Sequence, residues 1–433
     1  MRNKQRLLSV CGIVFVILVV SILYELMSDP DSYRFYTGIG SGIDVSEDGT
    51  ELLFSYYQEG SESIYLSDLD GANVQQLTNA DGERHRQPKY SGDGESILYL
   101  NENEDGIQSI VVANKDGSEP RQVTERDQQV TEAIFSPDGN HIYYSAIPSK
   151  DFGVLEGTAD NGYDLYSVDL TSNEVTNLTS QDYFTLSALS VSSDGKTIYF
   201  SLFEGEKQEL FAYNLGDGTV RQPLPQLPEL YSPMMAKDQQ TLAYTAVAGQ
   251  SEDSLFEYEL FLYDVESDKT KQVTQFGTQV SSPVFFKGTT ELAFLEQTNW
   301  PDDPSEFQPW VMDLETETLN KINLQLPEEQ KELSVIQIVD GMINGVMIAS
   351  LYVLLFSLLT VYSHFHLGKA FLPTIISGSL TVLLLGSSFV IAAMIDPWLA
   401  LAIGVLAGAL FVCTVLILIF TVVFRFLMKR RLA

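Results

Sequence analysis

One phrase recurs through the middle of this 433-residue chain, and the recurrence constrains the fold more than any other feature. It consists of a short alternating strand, a Ser-x-Asp-Gly turn and a second strand rich in aromatic residues. Four copies are clear: Ile43-Asp44-Val45-Ser46-Glu47-Asp48-Gly49 before Leu52–Ser55, Tyr90-Ser91-Gly92-Asp93-Gly94 before Ile97–Leu100, Phe135-Ser136-Pro137-Asp138-Gly139 before His141–Ser145, and Val191-Ser192-Ser193-Asp194-Gly195 before Thr197–Ser201. Two weaker copies, Met234–Asp238 before Leu242–Thr245 and Val284–Gly288 before Leu292–Leu295, have lost the serine or the Asp-Gly pair. The aligned residues Asp48, Asp93, Asp138, Asp194 and Asp238 stand 45, 45, 56 and 44 residues apart. Asp-Gly supplies the positive φ and the side-chain acceptor that a tight hairpin needs. A third strand follows each hairpin, as in Ile64–Leu69 and Ser109–Asn114, and a short fourth closes most units, as in Gln75–Thr78 and Arg121–Thr124. One four-stranded sheet cannot bury both its faces alone, whereas six arranged radially can. The repeat predicts an all-β six-bladed propeller over residues 43–323.

The phrase Phe135-Ser136-Pro137-Asp138-Gly139, together with the Leu/Val-Thr ends of the fourth strands, resembles the TolB-type propeller repeat. That repeat is related to the propellers of prolyl oligopeptidases and dipeptidyl peptidases. The resemblance covers about 43–323 and implies a fold and a bacterial-type envelope protein. It does not imply an activity, because propellers host binding, scaffolding and catalysis alike.

Four apolar runs flank the repeat: Leu7–Met27, Val339–Tyr362, Phe371–Ile395 and Trp398–Phe424. Each is long enough for a bilayer, which takes roughly 20 apolar residues of helix. The expected architecture is thus one N-terminal transmembrane helix (1–27), a linker (28–42), the propeller (43–323), a second linker or helix (324–338) and three C-terminal transmembrane helices (339–433). Arg2, Lys4 and Arg6 precede the first run, Lys369 separates the second from the third, and Arg425, Lys429, Arg430 and Arg431 follow the fourth. Four crossings put all of these on one side, so the positive-inside rule predicts a multi-pass cell-membrane protein with cytoplasmic termini and an extracytoplasmic propeller. Only Glu25, Asp340 and Asp396 among the acids, and those eight bases, lie outside residues 28–338. That segment therefore holds 55 acids against 17 bases, a formal charge of −38. Such a surface repels polyanions and excludes nucleic acid as a partner.

In a propeller the first strand of each blade starts on the face to which the loops between second and third strands also open. This face carries the insertions Ile147–Asn161, Val247–Glu257 and Gln297–Pro309, and the connections Asn79–Gln87 and Ser180–Thr185. Long loops in a compact fold are disproportionately functional. Arg84, His85, Arg86, Asp182, Tyr183, Phe276 and Trp300 are the expected binding residues there, the aromatic ones as contacts for a docked protein or peptide.

No catalytic constellation is expected. The chain lacks the Gly-x-Ser-x-Gly of the peptidase relatives, and its four histidines and two cysteines, Cys11 and Cys413, form no metal-ligand spacing. Asn101–Gly106 begins like a calcium loop but has Val112 where a bidentate glutamate is required. No charge lies at the centre of an apolar run, which argues against an ion path. Gly341-x-x-x-Gly345 and Gly404-x-x-x-Gly408 are expected to let helices approach closely. The leading expectation is a non-enzymatic module without cofactor or metal. It binds or scaffolds a protein, peptide or envelope polymer, as an accessory subunit of a membrane transport or signalling complex. The alternative is a metal-assisted envelope hydrolase or lyase acting at the channel mouth.

Overall fold

A computed structural model describes residues 2–28, 31–154, 159–204, 207–286, 290–326 and 335–432. The chain divides into a helical unit, 1–30 with 330–433, and a sheet unit, 31–329.

The sheet unit is built from antiparallel meanders taken in strict chain order. Residues 38–76, 84–122, 128–177 and 187–221 each form a four-stranded sheet. Residues 231–321 form an eight-stranded sheet whose two meanders, 231–272 and 279–321, join through the single parallel pair Tyr258–Gln279.

The second strand of each meander reads as an unbroken apolar run because both of its faces are buried. In Glu51–Gln58, Leu53 packs toward Ile97 and Tyr99 of the next meander. Its neighbours Leu52 and Phe54 pack the other way. The same alternation carries apolar clusters around the unit. Leu98 and Leu100 meet Val130 and Tyr144; Ile134 and Tyr143 meet Ile198 and Phe200; Tyr199 meets Leu242 and Tyr244. Ala243 and Leu260 then meet Leu292 and Phe294. The last cluster sets Val284, Leu295 and Val311 against Ile43, Leu52 and Phe54, so the final meander packs on the first and the ring closes. Gln325 N–H donates to the Gly71 carbonyl at 2.8 Å across that junction.

The recurrent turn has one geometry. In its four clear copies the serine hydroxyl donates to the aspartate two residues on, at 2.6–2.7 Å. The same hydroxyl accepts the N–H five residues on, from Glu51, Ser96, His141 and Thr197. Gly49, Gly94, Gly139 and Gly195 follow at φ of 65–75°. In the weak fifth copy Ala236 replaces the serine and Gln239 takes the positive φ, yet Asp238 still accepts Gln240 N–H at 2.9 Å. Part of the sixth copy, 287–289, lies outside the described residues. The Leu/Val-Thr ends are equally regular. Thr78, Thr124, Thr179 and Thr274 accept the N–H groups of Ile64, Ile110, Leu165 and Leu260 at 2.8–3.0 Å, each 14 residues back.

The glycine run 38–42, expected as linker, is the start of the first strand, Gly38–Val45. Side chains are excluded there by close neighbours. A Cβ on Gly40 would stand 2.2 Å from Ser55 Oγ, and one on Gly42 would stand 2.7 Å from Gln87 Cα.

The helical unit contains α1 (Arg2–Met27), α2 (Val335–Met342), α3 (Gly345–Leu367), α4 (Leu372–Met394) and α5 (Pro397–Leu432). Four of these, all but α2, are long and apolar enough to cross a membrane. The expected second span shifts toward the C-terminus because Asn344 caps α3 by accepting Met347 N–H, and Gly368 ends it at φ 68°. Cys11, Val14 and Leu18 of α1 pack with Leu355 of α3. Hydroxyls join the other helices: Thr421 bonds Thr374 at 3.0 Å and Thr360 at 3.5 Å, and Ser377 bonds Thr414 at 2.7 Å. Of the two Gly-x-x-x-Gly pairs, only Gly404 stands close to another helix, where a Cβ would lie 3.4 Å from Ser388 Oγ. A Cβ on Gly341, Gly345 or Gly408 would meet nothing within 4 Å. Polar side chains supply most of the interhelical glue.

Candidate functional site

Loops at one end of the sheet unit touch one another around a rim. Residues 31–36 lie across the first meander, where Tyr33 stacks on Tyr57 at 4.9 Å. They also reach the last meander, because the Tyr33 hydroxyl accepts Ser305 N–H at 3.0 Å. Trp300 Nε1 donates to the Phe256 carbonyl at 3.0 Å. Tyr163 and Tyr183 form a backbone bridge, and the Phe184 ring lies 6.3 Å from Phe203. The insertion expected at Val247–Glu257 is mostly strand, because Thr241–Gln250 and Phe256–Asp264 pair as a lengthened hairpin. Part of the insertion Ile147–Asn161, 155–158, lies outside the described residues.

The expected site residues fall into two sets. Arg84, His85 and Arg86 belong to the strand Arg84–Tyr90, although their sequence reads as a polar connection. Ion pairing makes that strand possible. Arg86 holds Glu62 at 2.8 Å and Glu102 at 2.9 Å, and Arg84 holds Asp31. His85 is buried with Nδ1 2.8 Å from Thr78 Oγ1. Burial pushes its imidazole down to about 4, against the opposing charge of Glu83. These three residues tie the first two meanders together. Phe276 also packs inward, against Phe294 and Trp310. Asp182 and Tyr183 stay on the rim, where Asp182 accepts Gly162 N–H at 3.1 Å.

Trp300 borders a cavity of about 650 Å³ in the channel, lined from every meander: Gly42, Lys89, Glu132, Ala188, Ser232 and Ser282 all face it. Glu132 accepts Ala188 N–H at 2.6 Å and Leu189 N–H at 2.9 Å, clasping two neighbouring first strands. Burial raises its carboxyl above the usual range, against the pull of Lys89 and of those two N–H groups. Asp44 makes the equivalent clasp by accepting Tyr90 N–H at 2.8 Å. Tyr231 and Tyr258 join Trp300 on the cavity wall, and the sequence reading missed both. A signal for the wall does exist. Pro88, Pro233 and Pro283 each stand five residues before the turn position occupied by Asp93, Asp238 and Gly288, and each follows a residue at positive φ. Among the described residues, no three His, Cys, Asp or Glu side chains converge as a metal-holding group.

Antiparallel meanders packed face to face in a closed ring about a channel define a β-propeller, here in a chain that also carries four membrane-length helices. Residues 36–227 match the family described as the TolB beta propeller domain, the repeat type that the sequence resembles. No curated protein matches the chain. Among solved structures, TolB from Acinetobacter baumannii is similar at 14% identity, covering 71% of this chain and 68% of its own, with a TM-score of 0.49. TolB from Agrobacterium tumefaciens is similar at 18% identity over 54% and 79%, with a TM-score of 0.43. Oligogalacturonate lyase from Vibrio parahaemolyticus is similar at 15% identity over 66% and 78%, with a TM-score of 0.46.

Proposed function

We propose that this chain is a non-catalytic, membrane-anchored binding module. An acidic six-bladed TolB-like propeller stands outside the cell membrane and docks a protein, peptide or envelope polymer at its loop end, as an accessory subunit of a membrane transport or signalling complex. One observation carries the reading. Phe152, Val154, Phe184, Phe203, Val247 and Phe256 are exposed apolar side chains on the loops and strand ends of this region, with Phe184 60% and Phe256 52% exposed and Phe184 beside Phe203 at 6.3 Å, in a segment of formal charge −38. Covering a large apolar side chain contributes about 1.5–3 kcal/mol, so a partner gains most at the adjoining Phe184 and Phe203.

Sidedness follows from charge. Lys4 lies over the Tyr362 ring at 6.0 Å and Arg425 over the Phe371 ring at 5.4 Å. Lys369 sits in the turn between α3 and α4, so these bases gather at one end of the helical unit, the cytoplasmic end by the positive-inside rule. Photo-crosslinkers at Phe184 and Phe256 in intact membranes should capture a discrete partner, and Phe184→Asp with Phe203→Asp should abolish capture. Capture undiminished by that pair would refute docking at these side chains. Protease added to sealed cells should digest the propeller and spare the tails; the opposite pattern would refute the sidedness.

A further inference from the structure

We propose that the cavity at the channel mouth binds an uncharged oligosaccharide. This rests on the binding-module reading and names a ligand for it. Three aromatic rings form one wall. Tyr231 and Tyr258 meet edge to face at 5.5 Å and 83°, and Tyr258 and Trp300 at 5.8 Å and 89°. The Trp300 N–H is taken by the Phe256 carbonyl, so the indole is fixed and offers its ring rather than a donor. Such rings complement the C–H face of a pyranose, while the hydroxyls around that sugar ring need neutral donors and acceptors.

The cavity supplies those. Gln87 and Gln279 border it, and their side chains have no partner among the described residues. Gln208 is already oriented by Ser187 and Ser201, at 3.3 and 2.7 Å. A carboxamide offers both donor and acceptor and so matches a pair of neighbouring hydroxyls. The volume, about 650 Å³, suits a short oligosaccharide and lies within the range of small-molecule sites.

Charge disfavours the acidic sugars. The two charged side chains on the wall are engaged by backbone: Lys89 Nζ donates to the Ile43 carbonyl at 3.2 Å, and Glu132 accepts two N–H groups. Lys89 is a cation, but the one cation among the described lining residues, so a uronate finds no pair of cations there, and the surrounding acidic domain repels it.

Backbone geometry disfavours a peptide. The first strands present their free edges to the channel, where an extended peptide would otherwise add as a further strand. Bulges interrupt those edges between Arg86 and Lys89, Tyr231 and Met234, and Ser281 and Val284. Pro88, Pro233 and Pro283 lie inside them and remove the N–H groups that an added strand needs. Recognition is therefore left to side chains.

The test uses the full-length protein in nanodiscs on an array of neutral and anionic glycans, followed by calorimetry with chitotetraose, maltotetraose and tetragalacturonate. Neutral glycans should bind. Trp300→Ala and Gln279→Ala should each weaken binding about tenfold or more, with the melting temperature checking that each variant folds. Trp300→Phe, which keeps a ring, should retain most of the affinity. Absence of any neutral ligand, preference for tetragalacturonate, or binding indifferent to both alanine variants would overturn the proposal. Photo-crosslinking at Phe184 separates the two readings: an empty cavity with persistent capture sinks the sugar alone, whereas loss of both sinks the module.

Discussion

Replacing Glu132 with alanine should weaken the sheet unit selectively. The Glu132 carboxylate reaches from the first strand of the third meander to the Ala188 and Leu189 N–H groups of the fourth, at 2.6 and 2.9 Å. Ala188 stands at φ 56° inside a bulge, so its N–H has no place in the regular ladder. Alanine at position 132 leaves two channel-wall donors without this acceptor, each costing about 1–3 kcal/mol. Channel water offsets part of that, as does relief of the carboxylate's own desolvation. The expected loss is about 2–4 kcal/mol. Glu132→Gln keeps one acceptor and should cost less. The pH dependence has a definite sign. Burial raises the folded-state carboxyl above its ordinary 4.5, so its contribution is fully present below 4.5 and is lost as pH rises through the folded value. Glutamine does not titrate, so the stability of wild type minus that of Glu132→Gln should shrink as pH climbs above 4.5. Asp44 shifts in the same direction and the turn aspartates Asp48 and Asp138 in the other, so the subtraction isolates Glu132. Denaturant unfolding in micelles, followed by far-ultraviolet dichroism of the strand signal, supplies the measurement. An unchanged midpoint for Glu132→Ala would refute the clasp, and a difference flat in pH would refute the burial said to raise its carboxyl.

Two further perturbations separate the two units. Arg86→Met leaves Glu62, 1% exposed, facing Glu102 without its guanidinium and should destabilise the sheet unit by about 3–5 kcal/mol; Glu62→Met in the same chain should recover much of that in a double-mutant cycle. Thr421→Val preserves shape but removes the hydroxyl shared with Thr374 and Thr360, and should cost the helical unit about 0.6–2 kcal/mol in a detergent-unfolding titration while leaving the strand transition unmoved.

The loop end and the channel cavity offer two recognition chemistries. The exposed apolar side chains suit the macromolecular partner proposed above, whereas the edge-to-face rings and carboxamides of the cavity suit the proposed small polar ligand. Phe256 belongs to both regions: its ring is exposed, and its carbonyl accepts the Trp300 N–H at 3.0 Å.

What the sequence alone determined was local. The Ser-x-Asp-Gly turn closes within six residues, and the Thr lock spans 14, so both leave a fixed spacing that any copy displays. The apolar second strands betray burial on both faces, and helices long and apolar enough to cross a membrane follow from length and composition. Tertiary structure decided the rest. Arg84 and Arg86 sit in a strand where Asp31, Glu62 and Glu102 pair with them, and Gly40 and Gly42 meet neighbours from other strands. The cavity wall draws Gly42, Glu132, Tyr258 and Trp300 from meanders far apart in the chain. A one-dimensional pattern records contacts whose partners lie at constant separation; ring closure creates contacts at separations that no local spacing encodes.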